Sequence, residues 1–100
     1  MATYIVLNNF TDQGIRNFKD TTKRADTIRE TAKKFGITVK GIYWTLGSYD
    51  IVDIFEAPDD ASMAALLASI GAAGNVRTLT LRAFSEDDMN GILAKLEQSK

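Results

Sequence analysis

The stretch TVKGIYWTLGSYDIVDIFE, residues 38–56, decides the fold of this chain. It contains two runs rich in β-branched and aromatic residues, 38–46 and 49–56, a composition typical of β-strands. Only Gly47-Ser48 separates the runs, and glycine readily adopts the positive φ that a two-residue hairpin turn requires. The sequence therefore predicts a β-hairpin in the middle of the chain.

Strand and helix patterns flank this hairpin on both sides. Residues 3–7 and 76–82 are typical of strands, and apolar residues recur at helical spacing in each segment that joins them to the hairpin. The first of these helical segments contains a break near Lys19-Asp20. Together these patterns give the order β-α-β-β-α-β, which is the split βαβ motif.

A further helix is predicted after the last strand. Ser85 and Asp88 have the spacing of a capping box, and an apolar stripe at helical spacing follows them. The predicted fold class is therefore α+β, a ferredoxin-like βαββαβ four-stranded antiparallel sheet with helices on one face plus a C-terminal helix. We expect one domain over residues 1–100.

The composition excludes several classes of function. The chain has 100 residues, of which 45% are hydrophobic and 25% are charged, and its net charge is −1. This is an ordinary globular composition, with no large basic field to attract nucleic acid or an anionic membrane. The chain has neither Cys nor His, which removes thiolate nucleophiles, imidazole bases and the commonest metal ligands. We expect a cytoplasmic protein without a secretory signal, a metal or a cofactor.

The strand order is shared with RNA-recognition modules, which need basic and aromatic residues on the third strand. Here that strand carries Asp50, Asp53 and Glu56, whose charges would repel phosphate. The sequence therefore argues against nucleic acid as a partner.

The two faces of the predicted sheet differ in composition. Because both helices should cover the same face, one parity of the strand residues is expected to be purely apolar. The parity assigned to the helix-covered face is Ile5, Leu7, Ile42, Trp44, Leu46, Val52, Ile54, Leu79 and Leu81. The opposite, mixed parity is Tyr4, Val6, Asn8, Val39, Gly41, Tyr43, Thr45, Tyr49, Ile51, Asp53, Phe55, Thr78, Thr80 and Arg82. We predict that a second copy covers this mixed face in a dimer or larger homo-oligomer, and the alternative is that the C-terminal helix folds over it.

Two residues after the hairpin turn are the best candidates for catalysis. Asp50 stands at a strand end, where a carboxylate can act as a base or hold another side chain in place, and Tyr49 precedes it. The structural alternative is that Asp50 accepts hydrogen bonds from a neighbouring loop while Tyr49 packs at the dimer seam.

A small-molecule site is also predicted on the mixed face. A few varied polar groups among aromatic walls are typical of such sites. The candidate ligand-binding residues are Tyr4, Asn8, Tyr43, Asp53, Thr80 and Arg82. The alternative for two of them is an ion pair between Asp53 and Arg82 across the interface, because a buried charge needs a partner.

Several short motifs resemble the GYD domain family, a group of small bacterial and archaeal proteins named for a Gly, Tyr, Asp signature. The motifs are TLGSYD at 45–50, EAPDD at 56–60, YIVL at 4–7, TDQGI at 11–15 and GNVRT at 74–78. The resemblance covers nearly the whole chain. It implies a ferredoxin-like fold of the dimeric α/β-barrel group and no assigned activity.

Two functions follow from these observations. The leading hypothesis is a small homo-oligomer that binds or transforms a small organic molecule in a pocket at the sheet face. The alternative is a non-catalytic assembly or regulatory module whose sheet face only mediates oligomerisation. The discriminating feature is whether the polar groups of the mixed face line a connected cavity or are packed solid.

Overall fold

The computed structural model describes residues 1–99 and confirms the predicted fold class. The elements are β1 (Ala2–Phe10), α1 (Asp12–Arg16), a 3-10 turn (Phe18–Asp20), α2 (Thr21–Lys34), β2 (Thr38–Trp44), β3 (Ile51–Ala57), α3 (Asp60–Ala72), β4 (Val76–Ala83) and α4 (Glu86–Gln98). All strand pairs are antiparallel, and the strand order across the sheet is β2-β3-β1-β4. The chain is therefore a ferredoxin-like α+β protein in which β1 and β3 occupy the centre of the sheet.

The helix boundaries follow local capping signals. The side chain of Asp59 accepts a hydrogen bond from the Ser62 amide at the start of α3. At the start of α4, Ser85 and Asp88 form the predicted reciprocal capping box. The break predicted near Lys19-Asp20 is also confirmed, because the 3-10 turn there separates α1 from α2.

The connection between β2 and β3 is longer than predicted. The strands end at Trp44 and resume at Ile51, so the loop spans residues 45–50 instead of Gly47-Ser48 alone. The Thr45 amide donates to the Asp50 carbonyl at 2.9 Å and closes the loop. Gly47 does have the expected positive φ, at 113°.

On three of the four strands, the residues that face the helices are those that the sequence analysis assigned to the open face. Tyr4, Val6 and Phe55, which were assigned to the open face, are 5%, 0% and 0% exposed and form the core with α3 residues such as Met63 and Leu66. The register places the other parity of β1, β3 and β4 on the opposite face. Both parities are rich in apolar side chains, so alternation alone could not decide which face the helices cover.

We call this uncovered surface the open sheet face. It consists of Ile5, Leu7, Tyr43, Val52, Ile54, Leu79 and Leu81, which neighbour one another across the strands. Leu79 is 50% exposed, and Leu81 is 46% exposed. The apolar side chains that were expected to be the core are therefore the surface that the monomer leaves uncovered.

Strand β2 obeys the prediction only beyond a bulge that changes its parity, because Val39, before the bulge, packs against the core instead of lying on the open face. Val39 lies opposite Phe55, whereas Gly41 lies opposite Ile54, so Lys40 is an extra residue in the ladder. Beyond this bulge, Ile42 and Trp44 share the helix-covered face, as predicted, while Tyr43 lies on the open face.

Helix α4 does not cover the open sheet face of its own chain. None of its residues is buried, and its apolar stripe includes Met89, Leu93 and Leu96, which are 42%, 50% and 58% exposed. The alternative in which the C-terminal helix covers the sheet within one chain is therefore wrong.

Candidate functional site

A cleft of about 300 Å³ lies between α2, α3 and the helix-covered face of the sheet. Its walls are largely apolar, and its few polar groups are small hydroxyls and amides together with Asp53 and Arg24. Its lining residues include Asn8, Thr21, Arg24, Trp44, Asp53 and Ser69. The cleft has the mixture of apolar walls and few polar groups that small-molecule sites share.

The floor of the cleft is a buried pair of polar side chains. Asp53 and Asn8 are each only 2% exposed, and the Asn8 amide Nδ2 donates to Oδ2 of Asp53 at 3.0 Å. The same Nδ2 lies 3.2 Å from the carbonyl oxygens of Val6 and Ile51, which fixes the amide group against the sheet. The other carboxylate oxygen of Asp53, Oδ1, is buried and has no donor among the described residues.

Burial dominates the electrostatics of this carboxylate. It raises the pKa of Asp53 to about 6, while the hydrogen bond from Asn8 and the charge of Arg29 oppose the rise. No charged group bonds directly to Asp53 in the described structure. Arg24 lines the same cleft, but its guanidinium donates to the carbonyls of Asn17 and Gly14, at 2.7 Å and 3.3 Å.

The predicted ligand-binding residues fall into two separated groups. Tyr4, Asn8, Asp53, Thr80 and Arg82 share the helix-covered side of the sheet, whereas Tyr43 lies on the open sheet face and is 56% exposed. Only Asn8 and Asp53 line the cleft. The prediction of one cavity on an open, mixed face was therefore wrong, because the helices cover that parity.

Tyr4 and Arg82 serve packing at the other end of the sheet. The Tyr4 hydroxyl donates to the Asp60 carboxylate at the start of α3, and this bond raises the pKa of Tyr4. Arg82 lies over the rings of Tyr4 and Phe84, at 5.6 Å and 4.6 Å from their centroids. Arg82 pairs with Tyr4 across the strands, whereas Thr80 and Asp53 both lie opposite Val6.

The predicted ion pair between Asp53 and Arg82 is also wrong. It was expected to cross an interface at the open face of the sheet. Asp53 is instead buried beneath the helices of its own chain, where its hydrogen-bond partner is Asn8.

Asp50 and Tyr49 lie in the β2–β3 loop. Oδ2 of Asp50 accepts from the Phe10 amide at 2.9 Å, and the Asp50 amide donates to the Asn8 carbonyl at 2.8 Å. The Tyr49 carbonyl accepts from the Thr45 hydroxyl at 2.6 Å. These contacts tie the hairpin to the end of β1, and the catalytic role stays a prediction.

Sequence reasoning missed the contribution of α2 to the cleft. Thr21 and Arg24 lie beside the apolar stripe of this helix, and Thr21 Oγ1 accepts a hydrogen bond from the Trp44 indole Nε1 at 2.9 Å. The sequence signal that could have indicated a space between α2 and the sheet was the small size of Ala25 and Ala32, the buried residues of this helix. Small side chains on the face of a helix that meets a sheet leave room at that boundary.

Within residues 1–99, no helix is long and apolar enough to cross a membrane. The same residues contain no cluster of three or more acidic side chains that could hold a metal ion.

Comparisons with known proteins identify relatives. The model of the GYD domain matches residues 4–93. A protein of Thermus thermophilus, the glutamine synthetase and cystathionine beta-lyase binding protein, is 34% identical over 90 residues, covering 89% of this chain and 95% of that protein. No solved structure matches the chain.

We expect Asp50→Ala to lower the free energy of unfolding by about 1–2 kcal/mol, because the Phe10 amide loses its carboxylate acceptor. Asp50→Asn is the matched control. The amide oxygen of the new side chain can still accept the hydrogen bond, so the free energy of unfolding of Asp50→Asn should be closer to that of the wild type. Urea unfolding of the three proteins measures the difference, and wild-type stability of Asp50→Ala would contradict the anchoring role.

The contribution of Asp53 to the stability of the protein should fall as the pH rises from about 4 to above 6. Folded Asp53 keeps its proton up to about pH 6, whereas the unfolded carboxyl releases it near pH 4, so deprotonation disfavours the folded state across this interval. The loss is on the order of 3 kcal/mol at neutral pH.

Asp53→Asn should therefore remove this slope and stabilise the protein by on the order of 1–3 kcal/mol at neutral pH. Asp87→Asn, at an exposed aspartate in the first turn of α4, is the control. Denaturant unfolding at several pH values measures the slope. Equal slopes for the wild type and Asp53→Asn would refute the assignment.

Proposed function

The chain belongs to the GYD domain family, and we propose that it is a protein-binding module that pairs with a second copy of itself through the open sheet face. The observation that carries this proposal is the apolar character of that face. Leu79 and Leu81, on the edge strand β4, remain about half exposed there. Contiguous apolar surface of this kind is typical of protein–protein interfaces.

The distribution of charge on the sheet favours a second copy as the occupant. By register, Glu56 and Arg77 share the open face but lie near opposite ends of the strands, away from the apolar centre. Two identical faces can therefore meet with apolar surface against apolar surface, as an isologous dimer requires. A strongly charged partner would find no complementary groups at this centre.

The Thermus thermophilus relative supports the wider role in protein binding. Its name describes a protein that binds two enzymes, glutamine synthetase and cystathionine beta-lyase. We propose that the dimer of this chain likewise binds enzymes, with the exposed apolar stripe of α4 (Met89, Leu93 and Leu96) available for contact. The hypothesis of a small-molecule pocket on the open sheet face is not retained, because its polar residues lie mostly on the other side.

The wild-type protein should have a mass in solution of about twice the 11.0 kDa of one chain. The double variant Leu79→Asp/Leu81→Asp should be a folded monomer, because it buries unpaired charges in the dimer but leaves them solvated in the monomer. Multi-angle light scattering at micromolar concentration measures both masses, and circular dichroism checks the fold.

Leu46→Asp is the matched control for this experiment. It introduces the same side chain at a leucine that is 102% exposed in the β2–β3 loop, so it should remain dimeric. A monomeric wild type would overturn the proposed self-association, as would a double variant that dimerises as well as the control does.

The proposed enzyme partners can be tested directly. We expect the purified protein to bind glutamine synthetase or cystathionine beta-lyase of its own organism in a biolayer interferometry experiment. Leu93→Asp on α4 should weaken the interaction at least about tenfold if the stripe contributes, because it places a charge in the contact. Binding to neither enzyme would contradict the transfer of this role from the relative.

A further inference from the structure

We infer that the cleft between α2 and α3 binds a small organic ammonium ion, whose N–H group donates to Oδ1 of Asp53. This site is independent of the proposed protein-binding function. It lies on the helix-covered side of the sheet, opposite the open sheet face. The two proposals can therefore fail separately.

The first reason is an unused acceptor at the floor of the cleft. Asp53 is 2% exposed, and its Oδ2 is held by Asn8, but Oδ1 has no donor in the described part of the chain. Buried polar atoms in proteins are nearly always hydrogen-bonded, so an unpartnered carboxylate oxygen on a residue that lines a cavity indicates a missing donor. The bond from Asn8 also fixes the direction in which the carboxylate points.

The second reason is that no cationic side chain within residues 1–99 bonds directly to this carboxylate. Arg24 lines the cleft but donates to backbone carbonyls, whereas Arg29, whose charge lowers the pKa of Asp53, forms an ion pair with Asp26 at 3.4 Å. The residues that α3 contributes to the lining are uncharged. An ammonium group would provide both the charge and the donor, and charge-assisted bonds of this type are the strong ones.

The third reason is the shape of the site. The cavity of about 300 Å³ suits a compact molecule with one polar end, and its walls include Ile28, Ile42 and Ile70. Trp44 adds an aromatic wall and is 41% exposed. The expected ligand is therefore an amine with a branched or aromatic hydrocarbon body.

Trp44 makes binding directly observable. It is the only tryptophan in the sequence, and it lines the cleft with its indole nitrogen bonded to Thr21. Its fluorescence should therefore respond when a molecule enters the cleft. The probes are phenethylamine, phenethyl alcohol and hydrocinnamate, which share an aromatic body but carry a cationic, neutral or anionic end.

We expect phenethylamine to change the fluorescence of the wild type in a saturable way at neutral pH. Its affinity should be at least about tenfold higher than that of the alcohol or the acid. The affinity should fall as the pH is lowered through about 6, because protonated Asp53 loses its charge. Asp53→Asn should lower the affinity for the amine at least about tenfold, and the variant should keep the fold. Asp87→Asn, at an exposed aspartate in the first turn of α4, is the control and should bind like the wild type.

Ser69→Phe provides a second test that leaves the floor intact. Ser69 lines the cleft from α3 at an exposed position, so a phenyl ring there should block entry without entering the core. Loss of amine binding in this variant supports the site. Equal affinity for amine and alcohol, unchanged binding in either variant, or no saturable binding by the wild type would overturn the inference.

Discussion

The direction in which the side chains of β1 point determines the rest of the structure. Tyr4, Val6 and Asn8 face the helices, and the hydrogen bond from the Tyr4 hydroxyl to Asp60 joins this strand to the start of α3. Because side chains alternate along a strand, the direction of these side chains also decides which residues of the paired strands β3 and β4 face the helices. The helices therefore cover the side that carries Tyr4, Asn8 and Asp53, and the side that carries Ile5, Leu7 and Ile54 faces away.

The sequence was sufficient for the order of the elements because each boundary carries its own local signal. The capping side chains Asp59 and Ser85 and the positive φ of Gly47 all lie where the residue types require them. The choice of face depends instead on contacts between distant elements. The sequence around Tyr4 does not predict that its hydroxyl donates to Asp60, and the sequence around Lys40 does not predict a bulge.

The candidate site shows the same division between local and distant information. Asn8 and Asp53 were predicted as members of one ligand-binding set, and they do lie together. Their surroundings could not be predicted, because the cleft depends on how far α2 and α3 stand apart above the sheet. A protein that keeps a carboxylate with an unpartnered oxygen in this position gives up stability at neutral pH, as is common where a structure is organised for binding.

The bulge at Lys40 has a consequence for how copies of this chain can meet. Strand β2 lies at an edge of the sheet, where unpaired backbone groups offer a template for another strand. The extra residue interrupts that template, and Lys40, which contacts Glu56 at 3.6 Å and is 54% exposed, adds a charge beside it. Growth of the sheet from strand to strand into fibres is thereby discouraged at this edge, and a soluble assembly of limited size is favoured over an open-ended one.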